Sequence, residues 1–328
     1  MEFTKECFDN VMAYHKRGAL RWPMIIFIAL IHVAAIIGVY TIPKCHWYTL
    51  LWAFICWPIS GLGITAGAHR LWAHRSYKAS FSVRLFLMLA NSMASQGPIY
   101  HWARDHRVHH KHSEEPADPH NATLGFFYSH VGWLLVKKDP ATALAGAQLS
   151  FEDLKADSLV MWQKRNDPWF NLFMCFVFPG LVCMLWGDSF WNGYWVAGAL
   201  RFVFVLHATW CVNSVAHLWG DRPYAPEINP AENIWVSIGA IGEGWHNWHH
   251  KYPYDYATSE GGIIDHYNPT KAFIDTMCFL GMAWDCKRAT GAWQRLKTAR
   301  LEQKLKELHS SEKVLVSQEE KDLDARGW

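Results

Sequence analysis

Four long apolar stretches constrain the fold of this chain more than any other feature of its sequence. Residues 22–43, 47–68 and 168–187 contain no Asp, Glu, Lys or Arg, and residues 190–213 contain only Arg201. A helix needs about 20 predominantly apolar residues to cross the hydrocarbon of a membrane. The chain also holds 20 Trp, a residue that concentrates at membrane interfaces. The sequence therefore predicts an all-α integral membrane protein with four transmembrane helices.

The distribution of basic residues predicts how these spans are oriented. Four spans place residues 1–21, 69–167 and 214–328 on the same side, and these segments hold 29 of the 31 Lys and Arg residues. Since positive charge favours the cytosolic side, we expect both termini in the cytosol. We also expect a cytosolic N-terminal segment at 1–21, a membrane domain at 22–290 and a charged cytosolic tail at 291–328. A formal net charge of only +2 argues against a nucleic-acid partner.

Histidine is concentrated in three motifs outside the apolar stretches. They are HRLWAH at 69–74, HRVHH at 106–110 and HNWHH at 246–250, and His217 follows four residues after Asn213. Positions i, i+3 and i+4 share one face of a helix. We therefore expect each HxxHH motif to offer three imidazoles to one point.

Clustered imidazoles without thiolates indicate a metal site of the Fe, Zn, Cu or Ni type. Nine histidines exceed the four or six ligands that one ion takes, so two ions are expected. Redox-inert zinc is an alternative, but iron fits better with a membrane-embedded substrate. Glu243 is expected to accept a hydrogen bond from an imidazole rather than to bind metal. The other histidines are expected to be ordinary polar side chains: His15, His32, His46, His101, His112, His120, His130, His207, His266 and His309.

These motifs give the chain a resemblance to a known family. The segments GITAGAHRLWAHRSYKA (63–79), HWARDHRVHHKHSEEPADPHN (101–121), GFFYSHVGWLLVKKDP (125–140), NSVAHLWGDRPY (213–224) and EGWHNWHHKYPYDYATSE (243–260) resemble the membrane acyl-CoA desaturases, specifically the stearoyl-CoA (Δ9) desaturase family. The resemblance covers roughly residues 20 to 290. It implies a four-helix membrane domain in the endoplasmic reticulum under a cytosolic, His-rich di-iron cap.

The resemblance also implies a reaction and its partners. Family members use O2 and two Fe2+ ions to insert a cis double bond into a long-chain saturated fatty acyl-CoA, at Δ9 in this branch. Electrons come from cytochrome b5 and its reductase. Since the chain contains no His-Pro-Gly-Gly haem motif, the donor is expected to be a separate protein.

Residue roles carried over from the family fall into three sets, with no catalytic residue beyond the metal ligands. Asn213 is implied to reach one iron through a water. The implied metal set is His69, His74, His106, His109, His110, Asn213, His217, His246, His249 and His250. The implied substrate-binding set is Gln96, Trp102, Arg104, Asp105, Lys137, Lys138, Thr209 and Trp210, and the end of the acyl tunnel is implied to lie at Trp57 and Gly61.

Two other functions remain open from the sequence. A membrane hydroxylase, or a desaturase of other regiospecificity, would use the same histidine scaffold. A His-rich metal transporter is more remote, because transporters place ionisable ligands near the bilayer midplane. The histidine motifs here instead follow the ends of spans.

Overall fold

The computed structural model describes residues 15–263 and 265–325, with side chains as far as His309. Most of the expected segment 1–21 therefore lies outside the described residues, as do the last three residues of the expected tail. The chain divides into two compact units, Met1–Lys287 and Arg288–Trp328. The second unit contains one helix, Thr290–Ala325.

Helices account for most of the described residues. The α-helices in chain order are α1 (Trp22–Thr41), α2 (Trp47–Leu62), α3 (Phe81–Ala94), α4 (Ile99–Lys111), α5 (Trp133–Leu135), α6 (Pro140–Ala147), α7 (Glu152–Ala156), α8 (Ser158–Asn166), α9 (Trp169–Leu172), α10 (Phe178–Cys183), α11 (Phe190–Gly193), α12 (Arg201–Asn213), α13 (Val215–Leu218), α14 (Ile234–Gly239), α15 (His246–Lys251), α16 (Pro269–Phe279) and α17 (Thr290–Ala325). Short 3₁₀ turns cover Ile42–Lys44, Ala122–Leu124 and Met184–Trp186, and wider π-helical turns cover Gly63–Ala73, Tyr128–Gly132, Phe173–Val177 and Tyr194–Leu200. Strands β1 (Lys78–Ala79) and β2 (Ala283–Trp284) pair antiparallel.

The four predicted membrane helices are confirmed by length and composition. Within the described residues, the helices long and apolar enough to cross a membrane are Trp22–Lys44, Trp47–Ala73, Trp169–Trp186 and Phe190–Leu218. The second and fourth extend five residues beyond the predicted ends at 68 and 213. These extensions carry His69 and His217, so two of the membrane helices lead directly into the histidine motifs.

One carboxylate joins two turns. The first turn connects the first and second membrane helices, and the second turn connects the third and fourth. Asp188, in the second turn, accepts a hydrogen bond from the main-chain N–H of His46, in the first turn, at 2.8 Å. The hydroxyl of Thr49 also donates to Asp188, and the indole of Trp186 donates to Thr49 at 2.9 Å. Both turns therefore lie at the same end of the helices.

The main core of the first unit lies where the extension of α2 packs against α3 and α4. Its fully buried members include Leu87, Ile99 and Ala103. A Cβ at Gly63 would overlap the main chain of Ala90 and Asn91, so only glycine allows α2 and α3 to approach this closely. This contact places the end of α2, with its histidines, beside α4.

Arg201 is the one charge in the fourth span and is 4% exposed. Its guanidinium donates to the carbonyls of Ala197 at 3.0 Å, Met93 at 2.8 Å and Cys175 at 2.8 Å. Ala197 and Cys175 lie in π-helical turns, and Met93 lies in the last turn of α3. Regular helical hydrogen bonding is interrupted at such positions, and buried carbonyls without partners are costly in a membrane. Arg201 therefore joins three membrane-buried segments.

We expect Arg201→Met to lower the free energy of unfolding by about 3 kcal/mol or more, because three buried carbonyls lose a charged donor. Thermal unfolding in detergent measures this change. Arg165→Met, at an exposed position, is the control and should unfold as the wild type does. Equal stability of the two variants would contradict this role for Arg201.

Candidate metal centre

Nine histidines from five segments converge on two adjacent points. The extension of α2 supplies His69, and His74 follows it directly. Helix α4 supplies three imidazoles, α13 one, and α15 three. The first cluster contains His69, His74, His106, His110 and His249, and the second contains His109, His217, His246 and His250.

The expectation that each HxxHH motif serves one point was wrong. In α4, His106 and His110 join the first cluster while His109 joins the second. In α15, His246 and His250 join the second cluster while His249 joins the first. Side chains at i+3 and i+4 differ by about 100° around a helix of 3.6 residues per turn. Each motif therefore lies between the two clusters and contributes to both.

The spacing of the imidazole nitrogens fits metal coordination. His249 Nε2 lies 2.9 Å from both His69 Nε2 and His110 Nε2. In the second cluster, His246 Nε2 lies 3.1 Å from both His217 Nε2 and His250 Nε2. Two nitrogens bound at right angles to one ion, each about 2.1 Å away, would be about 3 Å apart. An imidazole nitrogen that faces two other imidazole nitrogens cannot hydrogen-bond to both through a single hydrogen. A cation at each of the two points would instead bind all the nitrogens that face it.

Burial keeps these imidazoles in the form that binds metal. Removal from water, followed by repulsion from neighbouring histidines, holds the pKa values of six of them well below the usual histidine range. The neutral ring retains the lone pair that a metal ion requires. The six are His74, His106, His110, His246, His249 and His250.

Carboxylates contact the outer nitrogens of three of the clustered histidines. Glu243 Oε2 lies 2.9 Å from His69 Nδ1, as the sequence predicted for an acceptor of an imidazole N–H. Asp118 Oδ1 lies 2.9 Å from His109 Nδ1, and Glu114 Oε1 lies 3.3 Å from His217 Nδ1. Such partners fix the tautomer and the orientation of a metal-binding imidazole. Sequence analysis did not identify Asp118 and Glu114, although both follow the HRVHH motif closely.

His120 differs from the sequence expectation of an ordinary side chain. It is 7% exposed, and its ring centroid lies 4.3 Å from that of His109. Its Nδ1 lies 3.6 Å from Asp118 Oδ1 and has no hydrogen-bond partner among the described residues. His109, Asp118 and His120 form a third group of metal-binding type. Because this group shares His109 with the second cluster, it belongs to the surroundings of the same centre.

Arg70 compensates the buried charge of Glu243. It is fully buried, and its Nη2 donates to Glu243 Oε1 at 2.9 Å. Burial alone would raise the pKa of Glu243, but the nearby positive charge of Arg70 and the contact with His69 outweigh it and lower this pKa. Glu243 is therefore ionised at neutral pH and is shared between Arg70 and His69.

Glu243→Gln should lower metal affinity by about 10- to 100-fold, the usual effect of losing such a carboxylate partner. Metal remaining after dialysis against a graded chelator measures this loss. Glu152→Gln, which changes an exposed carboxylate of α7, is the matched control and should retain metal like the wild type. Equal retention by the two variants would show that Glu243 does not support the centre.

An open cavity of about 560 Å³ lies beside the histidines. Its lining includes His106 and Asn213 from the proposed metal set. Within this lining, Gln96 Nε2 donates to Thr209 Oγ1 at 2.8 Å. Lys138 and Arg104 both form ion pairs with Asp105, and these three residues are charged members of the lining. The structure brings the whole predicted substrate set to this lining: Gln96, Trp102, Arg104, Asp105, Lys137, Lys138, Thr209 and Trp210.

A narrower, mostly apolar cavity of about 50 Å³ shares part of this lining and extends into the membrane helices. Trp102, His106, Thr209 and Asn213 line both cavities, and His69 and His246 also line the inner one. The predicted tunnel-end residues, Trp57 and Gly61, line the inner cavity too. The indole N–H of Trp57 donates to the carbonyl of Gly239 at 3.0 Å, which fixes the ring at the cavity wall.

Comparisons with known proteins agree with this arrangement. A family model described as fatty acid desaturase matches residues 43–258. The chain is 51% identical to stearoyl-CoA desaturase 5 of Bos taurus over 285 residues, which cover 87% of this chain and 84% of that protein. It is 54% identical to an acyl-CoA desaturase of Cyprinus carpio, covering 82% of each chain. It is also 54% identical to stearoyl-CoA desaturase of Homo sapiens, covering 83% of this chain and 75% of that protein.

Proposed function

Since this chain belongs to the fatty acid desaturase family, we propose that it removes two hydrogens from a long-chain saturated fatty acyl-CoA to form a cis double bond at Δ9. The relatives named above are acyl-CoA and stearoyl-CoA desaturases. The reaction class follows from the family, and the Δ9 position is the finer part of the proposal.

One observation supports this function above the others. The outer cavity carries Arg and Lys side chains, and the inner cavity is lined by apolar side chains and by histidines of both clusters. The linings overlap at Trp102, His106, Thr209 and Asn213. A substrate with an anionic head and a long apolar chain fits a basic outer cavity that overlaps with an apolar inner one. A metal transporter would need no such apolar cavity.

Different residues are proposed to bind the CoA head and the acyl chain of the substrate. Arg21, Arg104, Lys137 and Lys138 carry four positive charges against the one carboxylate of Asp105 at the outer cavity, which suits the phosphates of CoA. The Gln96–Thr209 hydrogen bond and Trp102 lie where the acyl chain would pass the histidines. Double-bond position requires the chain to be held in one bend beside the metals, and these three residues are proposed to hold it.

The histidine clusters are proposed to hold two iron ions, with Asn213 near one of them through a water. Bound iron, together with O2, supplies the oxidising power towards an unactivated C–H bond that no acid or base side chain has. The protein surroundings exclude water and fix the ligand orientations through Glu243, Asp118 and Glu114. Cytochrome b5 and its reductase are the proposed electron donors, on the side of the membrane that carries the clusters.

Expression in a yeast that lacks its own Δ9 desaturase tests the proposal. Growth without added unsaturated fatty acid, together with Δ9-monounsaturated lipids by mass spectrometry, is the expected result. Hydroxylated products would favour the hydroxylase alternative, and a double bond elsewhere would overturn only the regiospecificity. Absence of any new lipid from cells that contain the folded protein would overturn the function.

The proposed location is the endoplasmic reticulum membrane with both termini in the cytosol. An epitope tag placed after Trp328 should therefore be digested by protease in sealed microsomes, while a lumenal marker protein survives. The reason is the concentration of Lys and Arg in the segments on this side. Protection of the tag until detergent is added would reverse the orientation.

A further inference from the structure

Outside the two clusters, three imidazoles form a continuous row. His32 Nε2 lies 3.0 Å from His207 Nε2, and His207 Nδ1 lies 3.0 Å from His130 Nε2. His32 lies in the middle of α1, His207 lies in α12, and His130 lies in the π-helical turn Tyr128–Gly132. The row thus leads from the interior of a membrane helix to the segment that precedes α5.

The row ends on a carbonyl oxygen at each side, and a carbonyl oxygen can only accept a hydrogen bond. At one end, His32 Nδ1 donates to the carbonyl of Ile28 at 2.6 Å. At the other end, His130 Nδ1 lies 2.9 Å from Ser214 Oγ, and this hydroxyl donates to the carbonyl of Trp210 at 2.8 Å. Five contacts therefore need five hydrogens. Three neutral imidazoles and one hydroxyl supply only four, so the neutral row is one proton short of complete hydrogen bonding.

The Ser214 end of the row adjoins the second histidine cluster. Ser214 follows Asn213 directly, and its carbonyl accepts a hydrogen bond from the main-chain N–H of His217 at 3.2 Å. The Ile28 end lies within a membrane helix and leads to no further hydrogen-bonding side chain of the row. The Ser214 end of the row is therefore the end that adjoins the metal centre.

His130 is neutral in the resting row. Burial, with a smaller effect of His207, lowers the pKa of His130 to about 4. Added negative charge nearby favours the protonated form of an imidazole. Reduction of a nearby metal centre by two electrons supplies such charge.

We propose that His32, His207 and His130 form a proton-binding site that takes up one proton when the metal centre is reduced and releases it towards that centre when O2 is consumed. This inference rests on the proposed function. Desaturation breaks two C–H bonds and forms one C=C bond, while O2 becomes two water molecules. Two hydrogens of that water come from the substrate, and the other two arrive as two electrons from the donor and two protons. The row supplies one of these protons, and solvent supplies the other.

Proton uptake on reduction tests the site without relying on turnover. The iron-loaded protein in lipid nanodiscs is reduced photochemically without oxygen, and a pH-indicator dye counts the protons bound per chain. His207→Gln, which breaks the row at its centre, should take up one proton fewer than the wild type. His309→Gln, at an exposed position of α17, is the matched control and should take up as many as the wild type. Equal uptake by all three proteins would overturn the proposal.

Two further measurements keep the test decisive if His207→Gln folds poorly. In wild-type protein with isotope-labelled histidine, the infrared difference between the reduced and oxidised states should contain the band of a protonated imidazole, and its absence overturns the site. In folded His207→Gln, kcat should fall by about tenfold or more with KM unchanged, because a positioned proton donor is lost. Failure of the proposed function would instead appear as a wild type without desaturated product.

Discussion

The His249→Ala variant is expected to lose desaturation by roughly 10³-fold or more, equivalent to about 4 kcal/mol of transition-state stabilisation, and to retain about one metal ion where the wild type binds two. His249 Nε2 is the atom that faces both His69 and His110 at 2.9 Å. Its removal takes the central ligand from the first cluster. Product analysis and metal analysis of the same purified sample measure the two effects together.

The second cluster gives a matched test. His109→Ala should remove the other ion, because His109 is the histidine of α4 that groups with His217, His246 and His250. His309→Ala removes an exposed imidazole of α17 and should change neither metal content nor turnover. Full turnover with two ions in either cluster variant would show that these histidines do not form the centre.

The Trp57→Ala variant is expected to shift products towards longer acyl chains without moving the double bond. We propose that the indole closes the inner cavity, since Trp57 lines it and its ring is fixed by the bond to Gly239 and by edge contact with Phe204 at 5.0 Å between centroids. Each methylene that fails to fit forfeits about 0.8 kcal/mol of burial. Two methylenes therefore correspond to roughly tenfold discrimination between chain lengths. The wild type should prefer about 16 to 18 carbons, on the same burial argument.

Trp52→Ala is the control for this experiment. Trp52 lies on the same helix but packs with Cys56 and Phe178 rather than along the cavity. It should lower stability without altering the ratio of longer to shorter products, which gas chromatography of the lipids measures. An unchanged ratio in Trp57→Ala, or a displaced double bond, would contradict the proposed tunnel end.

Gly61 lies on the same face of α2 as Trp57 and has the opposite effect on the inner cavity, because it has no side chain to fill it. A Cβ there would lie 2.9 Å from Cδ1 of Ile241, which is the flexible end of a side chain and can move at modest cost. The cavity beside Trp57 is therefore widened by Gly61. The large indole of Trp57 and the missing side chain of Gly61 therefore act in opposite directions on the depth of the cavity.

The sequence by itself determined the membrane helices and the histidines of the candidate metal centre. Apolar stretches of about 20 residues with at most one charge are typical of helices that cross a bilayer, so composition alone located 22–43, 47–68, 168–187 and 190–213. Histidines at helical spacing likewise indicated a metal site, because that many imidazoles are costly to pack without a cation. Both conclusions depend on residues that are close together in the chain.

Only the tertiary structure decided how these residues combine. The division of each HxxHH motif between two clusters depends on the rotation of α4 and α15 about their axes, which helical periodicity does not specify. Asp118 and Glu114 have no distinguishing pattern until the loop after α4 folds against His109 and His217. The row of His32, His207 and His130 joins residues that are 175 and 77 positions apart. Contacts at such separations arise from packing of whole helices, and no local pattern in the chain records them.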